Sequence, residues 1–321
     1  MKKVFWVLVL LILTVSLFAG GSQQKGEEKF PSKQIRLIVQ ASPGGSSDLN
    51  CRTIAPGVEA VLGVPVVVEN RPGGGGAVAL SYGAAQPADG YVINHVPVDI
   101  ALLKPTGTAD ITPDDFAMLC RVAYHGAGIM VRADSRYRHF NDFLADARAR
   151  PGQVTVGNSG IGATWHISAV QLENATGIRL SHIPFEGAAP SITALLGGHL
   201  DAIVASPAET APQVLGGDLR LLAIYYEERM PLFPDTPTLR ELGIDLTTLV
   251  YLGFGVPKGT PREVINILVD AFKKSYESTV YQDMLKSRGL SPGWMGPDEY
   301  TRFVKEDFEK YMKLVPPLLN R

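Results

Sequence analysis

Apolar residues along this chain fall into short runs that alternate with longer stretches of helical spacing. From residue 35 onward, runs rich in β-branched residues have the length and composition of buried strands. These runs predict strands at residues 35–40, 65–69, 91–95, 128–132, 154–157, 200–206, 219–224 and 252–256. Apolar residues three or four positions apart predict helices at residues 48–62, 77–86, 140–149, 164–176, 190–196, 261–275, 280–288 and 298–313. The alternation of strand and helix is typical of an α/β protein with mostly parallel sheets.

Two of the joints between a strand and the following helix are alike, and both consist mainly of small residues. The first reads ASPGGSSD at residues 41–48, and the second reads GNSGIGAT at residues 157–164. Glycine and serine at the start of a helix allow a ligand to approach the free backbone N–H groups, which favours an anion. We expect the two loops to lie in two different lobes and to face one shared cleft, where ligands of such sheets bind.

The first 22 residues have the pattern of a secretory signal. Lys2 and Lys3 precede an apolar run from Val4 to Phe18, and small residues follow at positions 19–22. This order predicts export, with cleavage within residues 19–22. An uncleaved membrane anchor is the alternative, because the apolar run is near the shortest length that spans a bilayer. We expect no lipid anchor, since Gly21 stands where a lipoprotein signal carries its cysteine.

Composition narrows the class of protein. The chain has 321 residues, of which 45% are hydrophobic and 19% charged, with a formal net charge of -2. This length suits one large or two medium domains. The near-neutral net charge gives no sign of the basic face that a protein needs to bind nucleic acid. The sequence leaves open whether Cys51 and Cys120 form a disulfide, because it does not show the distance between them.

Patterns that suggest catalysis are incomplete. The segment GNSGI, residues 157–161, lacks the final glycine of a nucleophile elbow, and no acidic residue is placed to orient His166 behind Ser159. An exported serine hydrolase that uses Ser159 or Ser46 remains the alternative from another class. The six histidines show no metal-ligand spacing, and GGGAVA at residues 74–79 matches a dinucleotide-binding pattern only weakly. We therefore expect no catalysis, no metal and no cofactor.

Seven segments, in this order, carry a resemblance to a known family. They are FPSKQIRLIVQASPGGSSD, VPVVVENRPGGGG, PADGY, VGNSGIGATWH, FEGAAPSITALLGGHLDA, PDTPTLRELGI and GVPKGTP. From about residue 30 to its end, the chain resembles the Bug-type extracytoplasmic solute receptors, which serve tripartite tricarboxylate transporters. The resemblance implies a two-lobed, type II-like periplasmic-binding-protein fold that closes over its ligand like a hinged clamp.

The resemblance also implies the ligand class and the partner. Family members bind small carboxylates, which include organic acids and acidic amino acids, and deliver them to integral-membrane permease subunits. A receptor that serves a membrane-bound sensor is the alternative. We expect a periplasmic monomer in which residues 30–124 and 249–321 form lobe 1 and residues 125–248 form lobe 2.

The resemblance assigns ligand-binding residues to both loops and to two later turns. The first loop supplies Ser42, Pro43, Gly44, Gly45, Ser46, Ser47 and Asp48, and the second supplies Asn158, Ser159, Gly160, Gly162, Ala163 and Thr164. His166 is expected to brace the second loop. Phe185, Glu186, Gly187 and Ser206 are expected at the far end of the ligand, and there this chain departs from the family pattern. Our hypothesis is that Glu186 selects a ligand with an amine or hydroxyl; a solvated loop residue is the alternative.

Overall fold

The computed structural model describes residues 29–319. In this part of the chain the strands are β1 (Ile35–Val39), β2 (Val66–Asn70), β3 (Val92–His95), β4 (Phe116–His125), β5 (Ala127–Arg132), β6 (Thr155–Asn158), β7 (Ser181–Pro184), β8 (Ala202–Ala205), β9 (Leu219–Tyr225), β10 (Val250–Pro257) and β11 (Ser291–Met295). The α-helices are α1 (Ser46–Leu62), α2 (Ala77–Ala84), α3 (Phe140–Ala149), α4 (Thr164–Thr176), α5 (Ala188–Leu196), α6 (Pro207–Leu215), α7 (Arg262–Tyr276), α8 (Thr279–Arg288) and α9 (Pro297–Leu319). The signal peptide predicted at residues 1–22 lies outside the described residues.

The strands form two sheets. The first sheet has the order β11-β4-β10-β3-β1-β2, and the second has the order β7-β6-β8-β5-β9. In the first sheet β1 is central to a parallel trio, with Leu37 paired to Val68 on one side and to Ile93 on the other. In the second sheet β6 is parallel to both β7 and β8. The carboxyl ends of β1 and β6 lead directly into the two glycine-rich loops.

The expectation of mostly parallel sheets is wrong in detail, because each sheet is mixed. Strand β10 is antiparallel to β3 and β4, and β5 is antiparallel to β8 and β9. Only Gly126 separates β4 of the first sheet from β5 of the second. Two parallel neighbours must be joined by a crossover connection, which is usually a helix. A strand that enters a sheet directly from the other sheet has no such crossover, so it can lie antiparallel to its neighbours.

All of the predicted strands and helices occur, with ends that differ by a few residues, but four elements were not predicted. They are β4, β7, β11 and α6. Helix α6 carries Pro207 in its first turn and Pro212 inside, and β11 contains Pro292 and Gly293. Proline and glycine usually indicate turns, but proline is tolerated in the first turn of a helix and on edge strands.

Strand β1 lies in the core, and both cysteines are buried. Ile35, Leu37 and Ile38 are fully buried. Cys51 and Cys120 are free thiols, and burial raises the pKa of both thiols well above the usual value. The core therefore forms without a bridge between them, as expected for a chain that can bury a large apolar surface.

Candidate functional site

A cavity of about 670 Å³ lies where the two glycine-rich loops meet. The first loop contributes Ser42, Gly45, Ser46 and Ser47 to its lining, and the second contributes Ser159, Gly160, Ala163 and Thr164. Phe185, Glu186 and Gly187 line it as well. Residues more than one hundred positions apart are thus brought together, and the volume falls within the range typical of small-molecule sites.

The first corner of the cavity is the start of α1. Gly44 has φ of +86°, and its N–H donates to Asp48 Oδ2 over 2.9 Å. Asp48 also accepts from Arg52 Nε at 2.9 Å and from Asn70 Nδ2 at 2.8 Å. Asp48 is buried and does not line the cavity. Its carboxylate therefore braces the loop from behind, and the side chain is not in a position to touch a ligand.

The second corner is the start of α4, and it is braced in a similar way. Gly162 has φ of +79°, and its N–H donates to His166 Nδ1 over 3.1 Å. A Cβ atom on Gly162 would lie 2.9 Å from Thr108 Oγ1, so the loop packs tightly there. Burial lowers the pKa of His166 to about 4, which keeps the ring neutral and Nδ1 free to accept.

The start of α1 is capped by a carboxylate from the second sheet's side of the cavity, and the start of α4 by one from the first sheet's side. Ser46 N donates to Glu209 Oε1 over 2.7 Å, and Glu209 belongs to α6 beside the second sheet. Thr164 Oγ1 donates to Asp99 Oδ1 over 2.8 Å, and Asp99 lies in a short 3₁₀ helix, Val98–Ala101, that follows β3 of the first sheet. Carboxylates at helix N-termini are stabilised by the free N–H groups and the helix dipole.

Sequence reasoning identified neither Asp99 nor Glu209 as part of the site. One local signal was present for Glu209, because Ser206 and Glu209 have the spacing of a capping box, and the structure forms that box. Nothing local indicates that the same carboxylate also reaches Ser46, which is 163 residues away. Asp99 has no comparable signal, since its partner Thr164 is 65 residues away.

Burial dominates the electrostatics of the two capping carboxyl groups. It raises the pKa of Glu209 to about 7, and the negative charge of Asp99 adds to this shift. Burial also raises the pKa of Asp99, against the hydrogen bonds from Thr164 and from Gln40, whose Nε2 lies 3.1 Å from Oδ2. Among the described residues, neither carboxyl group has a cationic partner, so both are held by neutral donors.

A third polar group that sequence reasoning missed is His125, at the end of β4. Its Nδ1 lies 2.9 Å from the carbonyl oxygen of Gly126, so this nitrogen carries the proton. Burial lowers the pKa of the ring to about 4 and keeps it neutral. The other nitrogen, Nε2, is buried and has no hydrogen-bond partner among the residues the structure describes. His125 lines the cavity, and its Nε2 is a buried acceptor that the described residues leave without a donor.

Six predicted site residues support the loops and turns without lining the cavity. They are Pro43, Gly44, Asp48, Asn158, Gly162 and Ser206. Asn158 is fully buried, and its Oδ1 accepts from Gly160 N at 3.2 Å. Ser206 is also fully buried and caps α6 by accepting from Ala208 N at 3.1 Å.

Glu186 lies at the edge of the cavity and is exposed. Its backbone carbonyl oxygen accepts from Ser42 Oγ over 2.5 Å, which ties the turn before α5 to the first loop. This bond adds a third link across the cavity to those made by Glu209 and Asp99. The exposure of the Glu186 side chain places it at the mouth, where solvent screens its charge.

The histidines near the cavity do not pair with serines as catalytic bases do. His166 Nδ1 accepts from the backbone of Gly162, as described above. His125 Nδ1 lies 3.1 Å from Ser206 Oγ, but this nitrogen is protonated and donates. A general base must instead accept the proton of the nucleophile.

Two features are absent from residues 29–319. No helix in this range is long and apolar enough to cross a membrane. The same range contains no cluster of three or more His, Cys, Asp or Glu side chains that could hold a metal ion.

The sequence of this chain is similar to a family model and to known proteins. The family model described as tripartite tricarboxylate transporter family receptor matches residues 51–318. The chain is 35% identical over 296 residues to the UPF0065 protein in the gbd 5′ region of Cupriavidus necator, which covers 92% of this chain and 90% of that protein.

Solved structures share the fold. The periplasmic binding protein BugD matches with a TM-score of 0.86 at 25% identity, covering 90% of this chain and 98% of BugD. An R. palustris protein solved with adipate matches with a TM-score of 0.84 at 27% identity, covering 90% of this chain and 98% of that one. The resemblance to Bug-type receptors and the periplasmic-binding-protein fold are therefore confirmed. This chain belongs to the tripartite tricarboxylate transporter receptor family.

Proposed function

We propose that this protein is an exported receptor that binds a small carboxylate in the cavity and delivers it to a membrane permease. The observation that carries the proposal is the meeting of two glycine- and serine-rich helix starts, those of α1 and α4, at one cavity. The adipate found in the R. palustris neighbour supports the ligand class. The ligand is bound and released without covalent chemistry.

The groups that hold the ligand carboxylate come from both corners. The first N–H groups of a helix have no partner within the helix, and Ser47 in α1 and Trp165 in α4 contribute such groups at residues that line the cavity. The buried hydroxyl of Ser46 has no partner in the described part of the chain and completes the set. Hydrogen bonds to a charged group contribute about 1.5–3 kcal/mol each.

The two sheets define the clamp. Residues 30–124 and 249–321 form lobe 1, and residues 125–248 form lobe 2. The support for this division is that strands β1–β4, β10 and β11 belong to the first sheet and β5–β9 to the second. Closure of the lobes over the ligand is the signal that the permease reads. The segment at residues 1–22 directs export to the periplasm, and the receptor acts there as a monomer.

The test measures binding directly. Native mass spectrometry of the protein purified from its own host should show a retained small acid, and calorimetry should show binding of that acid but not of its amide. Ser159→Asp places a negative charge on the cavity wall and should lower affinity at least about 100-fold, because like charges in a shielded site repel strongly. Thr193→Asp adds the same charge on the exposed side of α5 and is the matched control.

Two outcomes would contradict the proposal. One is a chemically altered acid after incubation, which would indicate an enzyme. The other is unchanged affinity in Ser159→Asp, which would place the ligand elsewhere. Pull-down with membrane fractions then identifies the partner: a permease agrees with the proposal, and a sensor protein contradicts that part of it.

A further inference from the structure

The cavity wall is unusually rich in acidic side chains for a site that binds an acid. Asp99, Glu186 and Glu209 line it, and no lysine or arginine does so among the described residues. A ligand with two carboxylates would bring its second negative charge against this wall without a cation to meet it. The wall therefore favours a ligand whose remaining part is positive or donates hydrogen bonds.

Glu209 keeps capacity to accept more hydrogen bonds. Its Oε1 accepts from Ser46 N at 2.7 Å, and its Oε2 accepts from Ser206 N at 3.2 Å. A carboxylate has about four acceptor positions, so at least one on each oxygen is left. Because the two backbone donors hold the group from both lobes, its position in the cavity is fixed.

His125 presents a second acceptor, linked to the first through Ser206. Ser206 contacts His125 Nδ1 through its hydroxyl at 3.1 Å and Glu209 through its backbone N–H. The proton on Nδ1 leaves Nε2 without hydrogen, and Nε2 is buried, without a partner, in a residue that lines the cavity. A buried acceptor without a partner is costly, so it indicates a group that a ligand donor satisfies.

We propose that the ligand is an amino carboxylate, and that Glu209 and His125 are the specificity-determining residues that receive its ammonium group. This inference rests on the proposed function, because the ligand's carboxylate is held by the two helix starts. An ammonium carries three donors and one positive charge, which suits an acceptor nitrogen beside a carboxylate. A plain dianion offers only acceptors to the same groups.

This assignment moves the selecting role from the mouth to the interior. Glu186 is exposed, and a charge in contact with water discriminates less than one held inside the protein. Glu209 and His125 lie inside, and their other hydrogen bonds are made by the protein itself. Glu186→Gln therefore serves as the matched control for Glu209→Gln, since each removes one carboxylate from the lining.

The experiment uses calorimetry with four probes of equal chain length: valerate, glutarate, δ-aminovalerate and norvaline. The same four classes are then tested in a longer chain, because the cavity has room for more than five carbons. At either length, one of the two amino acids should bind at least about tenfold more tightly than the dicarboxylate and the plain acid. The position of the amine in the tighter one gives the distance from the helix starts to Glu209.

Variants then test the named residues. Glu209→Gln should weaken the preferred amino acid at least about tenfold and leave the plain acid within about threefold, while Glu186→Gln changes neither by more than about threefold. His125→Phe keeps an aromatic ring and should reduce the same preference. Retained affinity for the plain acid shows that each variant is folded.

The outcomes separate this inference from the proposed function. If a dicarboxylate binds most tightly, or if Glu209→Gln keeps the preference for the amine, the assignment of an amino carboxylate is wrong while the carboxylate receptor stands. If no carboxylate binds and the purified protein retains no acid, the proposed function itself fails.

Discussion

The starts of α1 and α4 are similar in sequence and differ in how they are held. In both, a glycine N–H donates to the side chain four residues later, from Gly44 to Asp48 and from Gly162 to His166. Asp48 accepts two further hydrogen bonds, from Arg52 and Asn70, whereas His166 is a neutral ring whose pKa burial lowers to about 4. The same backbone shape is therefore maintained by a carboxylate at one corner and by an imidazole at the other.

The caps differ too. Glu209 binds the backbone N–H of Ser46, and Asp99 binds the hydroxyl of Thr164. A protein carboxylate thus already occupies part of each site that the sequence predicts for a ligand. A glycine- and serine-rich helix start therefore attracts a carboxylate, and the chain itself can supply one.

The largest expected difference between the corners comes from removing their braces. Asp48→Ala leaves Gly44 N–H and the Asn70 amide without their acceptor, and each lost bond to a charged group costs about 1.5–3 kcal/mol. We expect the free energy of unfolding to fall by about 4 kcal/mol in urea titrations. His166→Leu keeps the packing and loses one neutral bond, so it should cost about 1–2 kcal/mol. Equal losses in the two variants would show that the braces are equivalent.

A smaller difference is expected from the glycines. Gly44 and Gly162 both have positive φ, where an alanine costs about 1–2 kcal/mol. A Cβ on Gly44 meets nothing within 4 Å, whereas one on Gly162 lies 2.9 Å from Thr108 Oγ1. Gly162→Ala should therefore destabilise the protein by about 1 kcal/mol more than Gly44→Ala, since overpacking adds to strain. Gly63→Ala, with φ of +72° and equally open space, is a control away from the cavity.

A third difference is a dependence on pH that belongs to the first corner. The pKa of Glu209 is raised from 4.5 to about 7 in the folded protein, so between these values the folded state binds more protons than the unfolded state. Its contribution to stability is present below pH 4.5 and is lost as the pH rises through 7. Glu209→Gln should remove this loss, which amounts to about 3 kcal/mol.

The measurement is the difference in unfolding free energy between the unmodified protein and Glu209→Gln across that range. Burial also raises the pKa of Asp307, to about 6, so this group titrates in the same pH range. The difference between the two proteins cancels its contribution. A difference that stays constant from pH 4.5 to 7 would mean that the carboxyl group of Glu209 titrates normally in the folded protein.

Local sequence was sufficient for much of the fold and for the outline of the site. Strand β1 was predicted from its buried apolar run, and α4 was predicted with the bounds it has, Thr164–Thr176. Elements that contain proline or glycine, which usually indicate turns, were not predicted; α6 and β11 are examples. Tertiary packing stabilises them, and packing is not visible in a window of a few residues.

By itself, the sequence determined that two loops of small residues follow buried strands and open onto helix starts. This much is local, because glycine's tolerance of positive φ and the free N–H groups of a first turn depend only on near neighbours. The contacts of Glu209 with Ser46 and of Asp99 with Thr164 arise only in the folded chain, as does the unpartnered nitrogen of His125. These contacts join residues from different sheets, and the burial that shifts their pKa values exists only once both sheets are in place.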